Sequence, residues 1–167
     1  MASAGTLPAP HSTMLIGVIS DTHGVFHPAI PQHFAGVQQI LHAGDIGNGT
    51  IISRLEELAP VAAVTGNVDW GRPLDHQYPR VQQLQLEGCQ IYMTHIGGLP
   101  NVMIRRLPEP RPDVYICGHS HIPIVERIDD VLFLNPGSAG PSRFGRRPSL
   151  ARLSIGEQGA VAELILL

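Results

Sequence analysis

The stretch Met14-Leu15-Ile16-Gly17-Val18-Ile19-Ser20-Asp21-Thr22-His23-Gly24 decides how this chain is read. Met14 to Ser20 is a short, nearly continuous apolar run, the pattern of a strand buried on both faces. It breaks into an acid, an imidazole and a glycine. Two further runs repeat the arrangement: Val37 to Ala43 breaks into Gly44-Asp45, and Val61 to Thr65 into Gly66-Asn67. Between them, Gly49 to Ala59 places Ile51, Ile52, Leu55 and Leu58 at helical spacing, with Arg54, Glu56 and Glu57 toward water. Asn48-Gly49-Thr50 spells a glycosylation sequon, but it reads as a turn and helix start. Strand, helix, strand in that order implies parallel pairing through a right-handed crossover. Pro28 and Pro31 allow only a short helix between the first two strands.

The second half has a different texture. Val81 to Leu86 and Cys89 to Thr94 flank Glu87-Gly88 and predict a hairpin. Leu99 to Leu107 is expected as a helix, opened at Pro100 and ended by Pro108. Strands are expected at Val114 to Cys117, Ile122 to Ile128, Val131 to Leu134, Leu150 to Ile155 and Ala160 to Leu166. Asp129-Asp130 and Gly156-Glu157 are turns between them. The spacing predicts an α/β domain over 14–167 with a parallel start and an antiparallel finish, its two sheets face to face and its helices outside. Gly137 to Pro148 is expected as a surface loop, and Met1 to Thr13 as a disordered leader outside the domain.

Composition narrows the function classes. Of 167 residues, 43% are hydrophobic and 15% charged, enough for a core and too little charge for a disordered chain. No apolar run approaches the roughly 18 residues of a membrane span. Residues 1–13 lack the basic and hydrophobic regions of an export signal, so a cytoplasmic protein with reduced Cys89 and Cys117 is expected. A net charge of −3 argues against general nucleic-acid binding. All eleven basic residues are arginine, which excludes a catalytic lysine.

The polar residues carry the chemistry. His95 follows the strand Cys89 to Thr94, and Gly118-His119-Ser120-His121 follows Val114 to Cys117. Seven donors therefore stand at the ends of five strands: Asp21, His23, Asp45, Asn67, His95, His119 and His121. Ligands bind at the carboxyl ends of parallel strands because several loops converge there. Oxygen and imidazole donors without thiolate suit manganese, iron, nickel or zinc. Seven donors exceed the needs of one catalytic ion but fit two ions sharing a carboxylate. Two such ions against two aspartates leave a pocket of about +2 that attracts phosphate and can activate a bridging water.

Asp21-x-His23, Gly44-Asp45, Gly66-Asn67, His95 and Gly118-His119-x-His121, in that order, resemble the signature of calcineurin-like metallophosphoesterases. Gly66-Asn67-Val68-Asp69 and Asn135-Pro136-Gly137-Ser138 resemble its small bacterial and archaeal phosphodiesterase branch. The likeness covers about Leu15 to Leu166 and implies a four-layer αββα sandwich, two mixed β-sheets flanked by helices. It implies one metal held by Asp21, His23, Asp45 and His121, and a second by Asp45 as bridge, Asn67, His95 and His119. It implies in-line hydrolysis of a small phosphate ester by a metal-bridging hydroxide, a diester before a monoester or nucleotide, with Asp45, Asn67, His95 and His119 acting through their ion. Manganese is the first expectation, and homo-oligomerisation fits the family. One departure is Val68, where larger members place a histidine thought to protonate the leaving group. The family also supplies a retromer subunit using the fold as a non-catalytic scaffold, a role expected to shed ligands that this chain keeps.

Other residues have two readings each. His42, just before Gly44-Asp45, either orients a ligand or packs in its strand. Asp69 either hydrogen-bonds a ligand histidine or positions substrate, or else caps the loop before Trp70-Gly71. His27 either meets phosphate or faces water, and His11, His33 and His76 are expected to face water. Arg143, Arg146 and Arg147 read as a solvated basic loop before a substrate contact. Cys117 reads as a small core residue.

Overall fold

The computed structural model describes residues 13–142 and 145–167. The expected leader, Thr13 excepted, falls outside the described residues, as do His11 and Arg143.

Among the described residues, ten strands form two five-stranded sheets. The first holds β1 (Met14–Ile19), β2 (Gln39–His42), β3 (Val61–Ala63), β9 (Ser149–Gly156) and β10 (Gly159–Leu166), in the order β10-β9-β1-β2-β3. As the crossover pattern requires, β1, β2 and β3 are mutually parallel, and β9 returns antiparallel beside β1. The second sheet runs β4-β5-β6-β8-β7, built from β4 (Val81–Leu86), β5 (Cys89–Thr94), β6 (Val114–Ile116), β7 (Ile124–Ile128) and β8 (Val131–Asn135).

Alternation along the strands generates the layers. In β1, Ile16 and Val18 point between the sheets, where they meet Leu41, Ile91, Met93, Val114, Ile116, Leu132 and Leu134. Ile19, Ile40 and Ala63 point the other way, under Ile30 and Phe34 of the α1 region (Ile30–His33) and Ile51, Ile52 and Leu55 of α2 (Gly49–Glu56). Tyr115 and Phe133 leave the opposite sheet outward, against Ile104 and Leu107 beyond α3 (Pro100–Met103). One core between sheets and one under each set of helices is the four-layer sandwich. Fully burying each of these aliphatic side chains is worth roughly 1.5–3 kcal/mol.

Several local expectations are corrected. The finish is not wholly antiparallel: β6 pairs parallel with both β5 and β8. The helix expected over Leu99 to Leu107 closes after Met103 and continues as turn. Pro123 has no N–H to give a ladder, and β7 starts after it rather than at Ile122. β2 and β3 are shorter at their ends than the apolar runs that signal them. Two hairpins behave as read: Glu87-Gly88 and Asp129-Asp130 take positive φ at both turn positions, the geometry a tight two-residue loop needs, whereas the turn expected at Gly156-Glu157 falls one residue later, at 157–158. Asn48 caps α2, its side chain accepting from the Thr50 N–H at 3.1 Å.

Candidate metal centre

The carboxyl ends of β1, β2, β3, β5 and β6 open toward one another, and their loops carry all seven candidate ligands. Asp21, His23 and His121 form one cluster and Asp45, His95 and His119 a second, the potential ligand atoms of each lying within 4.8 Å of one another. His121 Nε2 is 3.1 Å from Asp21 Oδ1 and 3.3 Å from His23 Nε2. His95 Nε2 is 3.3 Å from Asp45 Oδ1, and the other oxygen, Asp45 Oδ2, is 4.0 Å from His23 Nε2. Asp45 thus turns one oxygen to each cluster. Asn67 lies exposed on the β3 loop, between Gly66, whose added Cβ would strike Asp45 Oδ1, and Val68, whose N–H donates to Asp45 Oδ1 at 2.9 Å.

The donor atoms are oriented before any ion arrives. Asp21 Oδ2 accepts from Ser20 Oγ at 2.7 Å and from the His119 N–H at 3.1 Å, leaving Oδ1 facing the centre. His95 Nδ1–H donates to the Ala43 carbonyl at 2.7 Å, which makes Nε2 the lone-pair nitrogen. Asp21 Oδ1, His95 Nε2 and His121 Nδ1 are buried polar atoms without a hydrogen bond. Orphaning a buried polar atom costs about 1–3 kcal/mol, and a cation among such atoms removes that cost. This donor set fits two borderline divalent ions.

The backbone is bent to the same end. Asp21, His23, Asp45, His119 and His121 all have φ between 48° and 68°. The other non-glycine residues with positive φ among those described are the hairpin residues Glu87, Asp129 and Asp130. A left-handed non-glycine residue costs on the order of 1 kcal/mol, so five at one site persist only under restraint.

Much of that restraint comes from His42 and Asp69. Gly44 N–H donates to His42 Nδ1 at 3.2 Å, so the ring proton sits on Nε2 and points at Thr22 Oγ1, 3.0 Å away. Thr22 Oγ1–H donates to the Ile46 carbonyl at 3.0 Å, and the loops after β1 and β2 are tied together. Complete burial lowers the His42 pKa to about 4 against the pull of nearby aspartates, and the ring stays neutral. Asp69 touches no ligand histidine through a hydrogen bond. Its carboxylate instead accepts the N–H groups of Ile46 at 3.1 Å, Gly47 at 2.9 Å and Gly66 at 2.9 Å, tying the Asp45 loop to the Asn67 loop.

Charge follows the geometry. Burial works against ionising Asp45, but contact with His95 and the Val68 N–H outweighs it and holds the carboxyl below its ordinary range. Burial also opposes charge on His95, yet Asp45 and Asp21 prevail and its pKa is raised. The Cys117 thiol is pushed up to about 12 by burial and the Cys89 thiol to about 11, so neither is a nucleophile. His27 accepts from the Ala29 N–H in its own turn, His76 is exposed, and His33 is half-buried. An Arg147 guanidinium N–H is spent on the Leu167 carbonyl at 3.2 Å.

Residues 14–158 match the profile of the calcineurin-like phosphoesterase superfamily domain. The chain belongs to that family. A probable metallophosphoesterase of Methanothermobacter thermautotrophicus is 37% identical over 161 residues, covering 91% of this chain and 92% of the relative. Among solved structures, an archaeal phosphodiesterase superposes with a TM-score of 0.72 at 26% identity, over 92% of this chain and 100% of that one. Vacuolar Protein Sorting 29 from Cryptosporidium parvum superposes with a TM-score of 0.75 over 93% and 98%, but at 17% identity it shows the shared fold alone.

Sequence reasoning missed the supports of this calcineurin-like centre. Ser20 fixes the Asp21 carboxylate. Asn135 ends β8 and donates to the Gly118 carbonyl at 2.9 Å and Ser120 Oγ at 3.1 Å, holding the His119–His121 loop. Ser138 Oγ donates to the Asp21 carbonyl at 2.9 Å. Asn135 and Ser138 were visible only as members of the Asn135-Pro136-Gly137-Ser138 motif at the end of β8, which says nothing of the groups they bind.

Proposed function

We propose that the protein is a phosphodiesterase holding two divalent cations, one by Asp21, His23, Asp45 and His121, the other by Asp45, Asn67, His95 and His119. The observation that carries this is Asp45, whose two oxygens face separate imidazole clusters, while buried Asp21 Oδ1 and His95 Nε2 face other candidate ligands, His121 at 3.1 Å and Asp45 at 3.3 Å. Bound there, the cations supply charge neutralisation for a phosphoryl group and an activated water at neutral pH. The chain contributes preorganisation: Ser20, His42, Asp69 and Asn135 hold the loops so that the donors need not reorganise. His119 and Asn67 are exposed and set the mouth through which an ester enters, whereas Asp21, Asp45 and His95 are buried beneath it. Manganese is the first choice of metal, with iron, nickel or zinc also suited to these donors.

A diester is favoured by the archaeal phosphodiesterase among the similar structures. A monoester is the second substrate class, and a metal-loaded scaffold without turnover is the rival role. The unit is a single domain over 14–167, working in the cytoplasm. The test is metal content of purified protein, then turnover of an aryl phosphodiester with manganese, iron, nickel and zinc in turn. His119→Ala is expected to abolish turnover with the circular dichroism spectrum unchanged. Stoichiometric metal with no hydrolysis of any diester or monoester refutes the enzymatic reading in favour of the scaffold.

A further inference from the structure

Beside the centre, on the His119 side, lies a cavity of about 230 Å³ walled by Gly98, Leu99, Cys117, Ile122 and Ile124, with His119 itself on its boundary. That volume is far above the roughly 10–15 Å³ a single water needs and suits a phenyl ring or a short alkyl chain. No carboxylate or guanidinium lines it. Its apolar members Leu99 and Ile122 are 64% and 43% exposed, so an apolar group bound there would take their surface out of water. On the other flank, His121 is bordered by Ser138, Ser142, Arg146 and Arg147, a polar and cationic crevice too small to hold a group of that size. A phosphoryl group between the two imidazole clusters therefore has a basic flank at His121 and an uncharged, greasy one at His119.

We propose that this cavity is a subsite for an uncharged apolar ester group, so that the preferred substrates are phosphodiesters carrying an aryl or alkyl substituent on the His119 side. The assignment rests on the phosphoesterase reading above and deepens it. Cys117 acts only as part of the wall. Leu99 and Ile122 set specificity without touching the reacting atoms.

The experiment is calorimetric binding of methyl-, propyl-, butyl- and phenylphosphonate to the manganese-loaded protein. These probes share one anionic head and are not hydrolysed. The Kd is expected to fall by up to about fourfold for each methylene buried, until the cavity is filled. The heat-capacity change should grow more negative along the series. In Leu99→Asn and Ile122→Asn the gain with tail length is expected to flatten, while the Kd for methylphosphonate stays at its wild-type value. Methylphosphonate binding with no gain from longer tails overturns the subsite and leaves the phosphoesterase reading standing. An undiminished gain in both variants places the tails elsewhere and overturns it too. No binding of any phosphonate to metal-loaded protein overturns both.

Discussion

Replacing Asp69 by alanine isolates what holds the metal loops. Asp69 is 1% exposed and accepts three backbone N–H groups, those of Ile46, Gly47 and Gly66. None has a second acceptor assigned to it. At about 1–3 kcal/mol for each orphaned buried donor, three give roughly 3–9 kcal/mol. Water entering the space of the lost carboxylate returns part of this, and we expect a net loss of about 4 kcal/mol. For a domain of this size each kcal/mol moves Tm by about 2–4 °C, so the metal-free variant should melt roughly 8–16 °C lower. Scanning calorimetry with chelator present reads this without any contribution from bound ions. Asp75→Ala is the control. Asp75 is half-buried and accepts from the Gly71 N–H at 3.0 Å on the outer end of the same loop, so its loss should cost about 1 kcal/mol. Manganese affinity in Asp69→Ala should also drop about 10- to 100-fold, because Asp45 loses its anchor. A shift in Tm no larger than that of Asp75→Ala would refute the assignment of Asp69 as the tie between the two loops.

Three other outcomes are expected. His42 titrates near 4 when folded against about 6.5 unfolded, so below pH 6.5 the unfolded chain takes up a proton that the folded one refuses. Stability should therefore fall by an amount on the order of 3 kcal/mol as pH drops from about 6.5 to about 4, and denaturant titrations of His42→Phe should lack this share of the slope. Gly66→Ala puts a methyl group onto Asp45 Oδ1 and should lower turnover about 10²-fold or more; wild-type kinetics with two bound manganese ions would contradict the close packing. Val68→His restores an acid where larger relatives have one and keeps the backbone N–H that Asp45 needs. It should raise rates on alkyl diesters by about 10²–10⁴ while leaving aryl diesters nearly unchanged, and no gain would mean that another group already protonates the leaving oxygen.

The chemistry of this centre was legible early because it is local. Met14 to Ser20 announces a buried strand, and Asp21-Thr22-His23 stands where that strand must end; the same holds for Asp45, Asn67, His95 and the His119–His121 pair. Strand periodicity and a polar break are both short-range properties. The roles of Ser20, Asp69 and Asn135 were illegible for the opposite reason. Asp69 acts on backbone N–H groups and Asn135 largely on a backbone carbonyl, which every residue carries and no composition reveals, and Ser20 acts through the one rotamer that reaches the Asp21 carboxylate. Asp69 could equally have met a histidine; only the approach of the β2 and β3 loops selects Ile46, Gly47 and Gly66.

Sequence by itself determined the donor inventory, the strand-end positions of the donors and the sandwich class, since these follow from side-chain chemistry and hydrophobic period. Tertiary structure alone decided which donors meet. His23 and His121 lie 98 residues apart in the chain and 3.3 Å apart in space. That distance depends on β9 returning beside β1, on β6 lying parallel to both β5 and β8, and on two sheets closing over one apolar core. Pairings of that range are set by how whole layers bury their surfaces together, and no window of sequence contains them.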